Sequence, residues 1–428
     1  MRGTQQFQTT PRQPAAQKRL PHFPTTLNYG ASLDGDNVVS WARPYLPALI
    51  IALALQWPCF AAVNVVRDTT RQSVTADMLT LPARVVGRTA SATLPPPLPA
   101  GAIAYTHEWP GVYFETAFIG DRLVLRFDDG WHEYRLRVDN DPPIAITRPG
   151  QADIVVGGLA WGPHRVRLEK VSESFKVRGT FAGFYASRAA RPLPTPPRAR
   201  QIEFIGPSGM TGFGDRSTTP TCTFEDERAT TDTQQAYTAL IAKHFGADYQ
   251  INASSGRGLI RNVTEIRGDP GLLALYPFTF SDLTGPYADP SWRPQIVEIA
   301  ALTDFMIALR PDERWKDLEG LIPDWTKAFG DLLAEIHRRS PGAAILVDWP
   351  EETDVNPPEY RKTFADLKAA MRQAADRAGV RMILFVPPYR GQLERTGCGQ
   401  HGSLKDNQAV AEFLIAYIKT RPELWNGR

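Results

Sequence analysis

The sequence predicts two folded parts in series: an all-β sandwich of jelly-roll type, then an α/β domain built on a parallel sheet. Three observations carry this. From about residue 83 to 190 short alternating strands follow one another, with turn residues between them and no segment of helical period. A proline-rich stretch, Arg191–Arg200, comes next. Beyond it, from residue 201 to 428, short apolar runs alternate with amphipathic helical runs, the pattern of strands joined by crossover helices.

In the first part Arg122–Phe127, Tyr134–Val138, His164–Lys170 and Gly179–Tyr185 read as strands. Asp128-Asp129-Gly130 joins the first two as a turn, because Gly tolerates positive φ and Asp caps the bend. Residues 63–82 are expected to be a linker into this part. RPLPTPPRAR, residues 191–200, is expected to be a second linker, since proline has no N–H for a ladder. In the second part strands are expected at Ile202–Ile205, Tyr249–Ile251, Ile296–Ala300, Ala344–Val347 and Met382–Val386, each buried on both faces. Helices are expected at Thr233–Phe245, Asp324–Arg339, Tyr360–Ala378 and Ser403–Lys419. Sites in such sheets lie at the carboxyl ends of the strands, and Ser208, Gly256, Thr303 and His401 all fall there.

The chain of 428 residues carries a net charge of +2 with its basic residues scattered, which leaves no nucleic-acid footprint. Residues 1–62 form a polar extension followed by an export segment. Arg43 precedes an uncharged stretch, Pro44–Val66, that contains LPALIIALAL. A secretory signal ending near Ala61-Ala62 and a retained anchor both fit it, and a buried helix is the third alternative. Export places the protein in the periplasm or outside the cell, with membrane contact only if the segment is retained. Cys59 belongs to that segment, which leaves Cys222 and Cys398 for the mature protein.

Ile202–Gly214 reads IEFIGPSGMTGFG, an apolar run that breaks into a glycine-lined turn holding Ser208 at the exposed end of a strand. Near the other end Gly397–Ser403 reads GCGQHGS and puts His401 just before the last helix. Nucleophile first and base last is a chain order that serine hydrolases use. His107, His132, His164, His244 and His337 have no partner signal, and no pair has metal-ligand spacing, so neither metal nor cofactor is implied. If both loops form one site, Cys222 and Cys398 lie near each other, and an oxidising compartment favours a disulfide over two free thiols.

With these blocks located, the sequence resembles the SGNH/GDSL-type esterases, specifically carbohydrate esterase family two, over about residues 84–428. That family joins a jelly roll to an SGNH hydrolase domain and removes acetyl groups from plant-type polysaccharides. The family's IEFIGDSIT-like block matches IEFIGPSGMT, residues 202–211, which makes Ser208 the implied nucleophile. Its SGKG-like block matches Ser255-Gly256-Arg257-Gly258, and the implied oxyanion donors are the amides of Ser208 and Gly256. Its GCDWHPS-like block matches GCGQHGS, with His401 the implied base. Trp292-Arg293-Pro294 matches a W-x-P approach to the third strand. Substrate contacts are expected from Arg257, Trp292 and Trp349.

Three positions depart from the family pattern. Pro207 stands where the family has aspartate, Thr303 where it has the oxyanion asparagine, and Gly399 where an aspartate often orients the histidine. The resemblance implies an exported serine esterase acting on acetylated polysaccharide through an acyl-enzyme. The alternative is a catalytically impaired carbohydrate-binding protein that keeps the fold and the cleft.

Overall fold

The computed structural model of the chain describes residues 63–174, 176–306, 308–350 and 358–427. The polar extension and export segment expected over residues 1–62 lie outside the described residues. Among the described residues no helix is long and apolar enough to cross a membrane.

The first part consists of two antiparallel sheets of seven and six strands. They bury one hydrophobic cluster, to which Phe114, Leu136 and Leu168 come from the six-stranded sheet and Leu125, Phe127 and Phe181 from the seven-stranded one. The period-2 pattern is plain in Glu133–Val138, where Tyr134, Leu136 and Val138 are buried and the residues between them are not.

Both expected linkers contribute strands. Asn64–Asp68 pairs with Gly150–Gly157, and Leu79–Leu81 pairs with Gly179–Ala186. Arg191–Leu193 adds to the edge of the six-stranded sheet against Tyr113–Gly120. Pro192 is tolerated there because an edge strand leaves one side of its backbone unpaired.

The second part is a five-stranded parallel sheet. Its strands are Gln201–Gly206, Asp248–Ala253, Ile296–Ile299, Ala344–Asp348 and Ile383–Val386. Across the sheet the order is second, first, third, fourth, fifth. The register sets Gly206 opposite Ala253, Ile205 opposite Ile299, Ile299 opposite Val347 and Asp348 opposite Val386. The loops that leave these residues therefore emerge along one edge.

The strands are not apolar on both faces as the sequence suggests: Gln201, Glu203, Asp248, Gln250, Asn252 and Glu298 are all buried. For Glu203, Asn252 and Asp248 the reason is a polar seam toward the first part of the chain, whereas Glu298 lies beside Asp348 and Tyr237. Glu203 accepts from Asn252 Nδ2 at 2.6 Å and from Trp292 Nε1 at 3.2 Å, and lies 3.5 Å from the fully buried Arg88 guanidinium. Buried charges persist only when paired in this way. Beside the seam, Tyr113 of the first part donates to Asp248 of the second at 2.6 Å, and the Arg167 guanidinium sits 3.7 Å from the Tyr113 ring centroid.

Helix limits differ from the sequence expectation at two places. The helix expected from Thr233 begins at Tyr237, because the preceding residues bond outward instead. Thr233 N donates to Val171 O at 2.8 Å, Thr233 Oγ1 to Thr211 O at 2.7 Å, and Gln234 Nε2 to Lys170 O at 2.8 Å. The long helix Leu318–Arg339 starts before Pro323, with Asp317 capping it through Gly320 N. The last helix, Leu404–Lys419, opens on a reciprocal capping box between Ser403 and Asp406.

Candidate active site

After Gly206 the chain passes through an extended Pro207 into one 3₁₀ turn, Ser208–Met210. Pro207 needs no N–H there, and its carbonyl accepts from Met210 N at 3.0 Å. Next to this turn, Ser254 N donates to Gly206 O at 3.0 Å, which ties the loop after the neighbouring strand to the Ser208 strand. Gly256 follows with φ +74, and a Cβ on it would meet Val263 Cγ2 at 2.6 Å, so only glycine fits.

His401 arrives from the far end of the chain. Its Nε2 lies 2.6 Å from Ser208 Oγ, and its Nδ1 lies 2.7 Å from the Cys398 carbonyl oxygen. A carbonyl can only accept, so Nδ1 carries the proton and Nε2 is left bare toward the serine hydroxyl. Gly399, where an aspartate was the family expectation, has no side chain to offer, and the backbone carbonyl of Cys398 orients the ring instead. The Phe213 ring packs against the imidazole with centroids 4.9 Å apart. Cys398 is disulfide-bonded to Cys222, 176 residues earlier, with Cα atoms 5.4 Å apart. Gly214 lets the two loops touch: at φ +59, a Cβ on it would stand 2.7 Å from Cys398 Sγ.

Ser208, Gly256, Thr303 and His401 line one open cleft of about 660 Å³. Thr303 is 8% exposed, and its Oγ1 is buried with no hydrogen-bond partner among the described residues. The next residue, Asp304, is structural. It accepts from the backbone amides of Leu259, Ile260 and Arg261 at 2.6, 2.9 and 2.7 Å. Against the cleft lies a second cavity of about 470 Å³, which shares Pro207, Tyr237, Thr303, Met306 and Arg395 with it. Trp349, Pro387, Tyr389 and Phe413 make that cavity mainly apolar. At its floor, burial pushes the Asp348 carboxyl up to about 7. Burial and the nearby Asp348 also drive the Glu298 carboxyl well above the usual range.

Two of the expected substrate contacts are elsewhere. Arg257 is 2% exposed, donates to Ser254 Oγ and Pro270 O, and pairs with Asp269, so it braces its own loop. Trp292 is 7% exposed and faces a cavity at the amino-terminal edge of the sheet, the edge opposite the serine. Trp349 is 6% exposed and packs edge-on against Phe385, with one side on the smaller cavity. Sequence reasoning missed Tyr237, Leu393 and Arg395 on the cleft wall. Tyr237 opens a helix whose apolar face reads as core, and the other two sit in a loop without periodicity. Among the described residues no cluster of His, Cys, Asp or Glu is arranged to hold a metal ion.

A parallel five-stranded sheet with a serine turn after its first strand and a histidine loop before its last helix defines an SGNH-type hydrolase. Comparison with known proteins agrees. The carbohydrate esterase 2 N-terminal family matches residues 101–196. An acetylxylan esterase / glucomannan deacetylase of Cellvibrio japonicus is 40% identical over 325 residues, covering 76% of this chain and 88% of the relative. A solved carbohydrate esterase, described as displaying divergent catalytic and non-catalytic binding functions in its active site, superposes with a TM-score of 0.71 at 36% identity. It covers 81% of this chain, which in turn spans 100% of it. A family two carbohydrate esterase from Clostridium thermocellum, solved with cellohexaose, shares the fold at 23% identity, with a TM-score of 0.65 and coverage of 80% and 100%. The chain belongs to carbohydrate esterase family two.

Proposed function

We propose that the protein is an exported serine esterase that removes O-acetyl groups from polysaccharide, with its antiparallel sheets forming a jelly roll ahead of the hydrolase domain. The observation that carries this reading is the 2.6 Å contact between Ser208 Oγ and a His401 Nε2 left bare by the bond from Nδ1 to Cys398 O. His401 takes the serine proton as Ser208 attacks the acetyl carbonyl. It then returns that proton to the departing sugar hydroxyl, and water, activated by the same nitrogen, releases acetate from the acyl-enzyme. The amides of Ser208 and Gly256 and the hydroxyl of Thr303 are the proposed donors to the oxyanion.

The unpaired Thr303 Oγ1 supports that third role, because a buried hydroxyl without a partner has a hydrogen bond to give. A carbonyl at His401 Nδ1 fixes the tautomer but brings no negative charge to stabilise the imidazolium. We therefore expect a working but slowed Ser–His dyad. The acetylated xylan and glucomannan named for the Cellvibrio relative are the first substrates to try. Acetate released from either polysaccharide, and lost in Ser208→Ala, is the expected result. Polysaccharide bound tightly but never deacetylated would favour the rival reading, a binding protein, which the replacement of asparagine by Thr303 motivates.

A further inference from the structure

Both amides proposed as oxyanion donors lie on loops held by one side chain from the other half of the chain. Glu173 lies just beyond the strand Gly162–Lys170 and is 2% exposed. Its Oε1 accepts from Ser255 N at 2.6 Å, and its Oε2 accepts from Ser255 Oγ at 2.6 Å and Thr211 Oγ1 at 3.0 Å. Ser255 immediately precedes Gly256. Thr211 closes the Ser208 turn, its N donating to Ser208 O at 3.0 Å, and its single hydroxyl proton is shared between Glu173 Oε2 and Ser208 O, each 3.0 Å from Oγ1. One carboxylate thus bridges the Ser208 turn and the Gly256 loop directly.

We propose that Glu173 is a positioning residue that fixes the separation of the Ser208 and Gly256 amides, so that a residue from the antiparallel half of the chain sets the geometry of the oxyanion site. This rests on reading those two amides as oxyanion donors. The loops also have ties that do not involve Glu173. The Ser208 turn closes on its own backbone, and Ser254 N is tied to Gly206 O. What Glu173 adds is the cross-link, and it does so at the expense of burying a carboxyl group. Three donors face it, the Ser255 amide, the Ser255 hydroxyl and the Thr211 hydroxyl. Burial is the largest influence and raises its carboxyl above the ordinary value, with the Ser255 and Thr211 bonds and the Lys170 ammonium acting in the other direction. Oxyanion donors work only within a narrow range of distances, and a misplacement of about 1 Å is worth roughly 100-fold in rate.

The test compares the full chain with Glu173→Ala, Glu173→Gln, Ser255→Ala and Ser208→Ala on an activated acetyl ester, with kcat, KM and the thermal midpoint read for each. Glu173→Ala should lower kcat by about tenfold or more with KM little changed, as a displaced oxyanion donor does. Glu173→Gln, which keeps an acceptor, should recover most of that loss. Adding Ser255→Ala to Glu173→Ala should lower kcat no further, because both changes break the same tie. Should Glu173→Ala fail to fold, Glu173→Gln and Ser255→Ala carry the test, and Ser255→Ala must then lower kcat at constant KM. Ser208-dependent turnover that is indifferent to Glu173, or a Glu173→Ala loss that Glu173→Gln does not recover, would overturn the proposal. Absence of Ser208-dependent turnover in the wild type would instead refute the esterase reading beneath it.

Discussion

Thr303 is the residue on which the rate turns in the proposed mechanism. Removing one side-chain donor from an oxyanion site typically lowers kcat by about 10²–10³-fold. A threonine hydroxyl is shorter in reach than an asparagine amide, yet this one is buried, unpartnered and on the cleft wall. Thr303→Asn should therefore raise kcat on an activated ester, and an unchanged or lowered kcat would remove Thr303 from the account. Ser208 and His401 were legible in the sequence because each sits in a local pattern, a glycine-lined turn and a block before an amphipathic helix. Arg257 and Trp292 lie off the cleft wall, and position along the chain does not reveal which way a side chain faces. Arg257 turns in to its own loop, and Trp292 lies at the other edge of the sheet.

The loop Gly397–Ser403 acts as one element. Its carbonyl at Cys398 orients His401, and the disulfide to Cys222 ties it to the segment before the helix Phe224–Thr230. A cross-link closing so long a stretch of chain is worth roughly 5 kcal/mol in the chain-entropy account. Cys222→Ser leaves the Cys398 backbone intact but frees it to move. The expected outcome is a lower denaturant midpoint together with a lower kcat. Turnover equal to wild type would mean that the carbonyl holds its place without the bridge. At this scale the sequence was read well for long periodic segments such as Leu404–Lys419 and poorly for short edge strands. Asn64–Asp68 and Arg191–Leu193 pair through their backbones, and a proline and half-exposed valines gave no periodic signal of it.

Across the whole molecule the antiparallel sheets and the parallel sheet are joined by partly buried ion pairs rather than by apolar contact alone. Glu115 of the first part meets Arg84, Arg167 and Arg198, and Arg84 and Arg198 also pair with Asp248 of the second. Burial opposes ionisation of Glu115, but the hydrogen bond from Arg198 and the three guanidinium charges prevail and bring its carboxyl down to about 2 from 4.5. A carboxyl more acidic in the fold than in the unfolded chain stabilises the fold fully above pH 4.5, and that contribution is lost as the pH falls toward 2. Glu115→Gln should thus lower the thermal midpoint markedly at neutral pH and progressively less below pH 4.5, while a penalty independent of pH would contradict the ion-pair account. None of this docking was visible in the sequence, since it depends on partners more than a hundred residues apart, as Arg84 and Asp248 are.

The central claim is that Ser208 performs acyl transfer with His401 as its base. Its most direct test is hydrolysis of an activated acetyl ester by the chain from residue 63 onward, wild type beside Ser208→Ala. Turnover by the wild type that disappears in the variant, with the fold intact, is the predicted result. Equal background rates in the two proteins would contradict it.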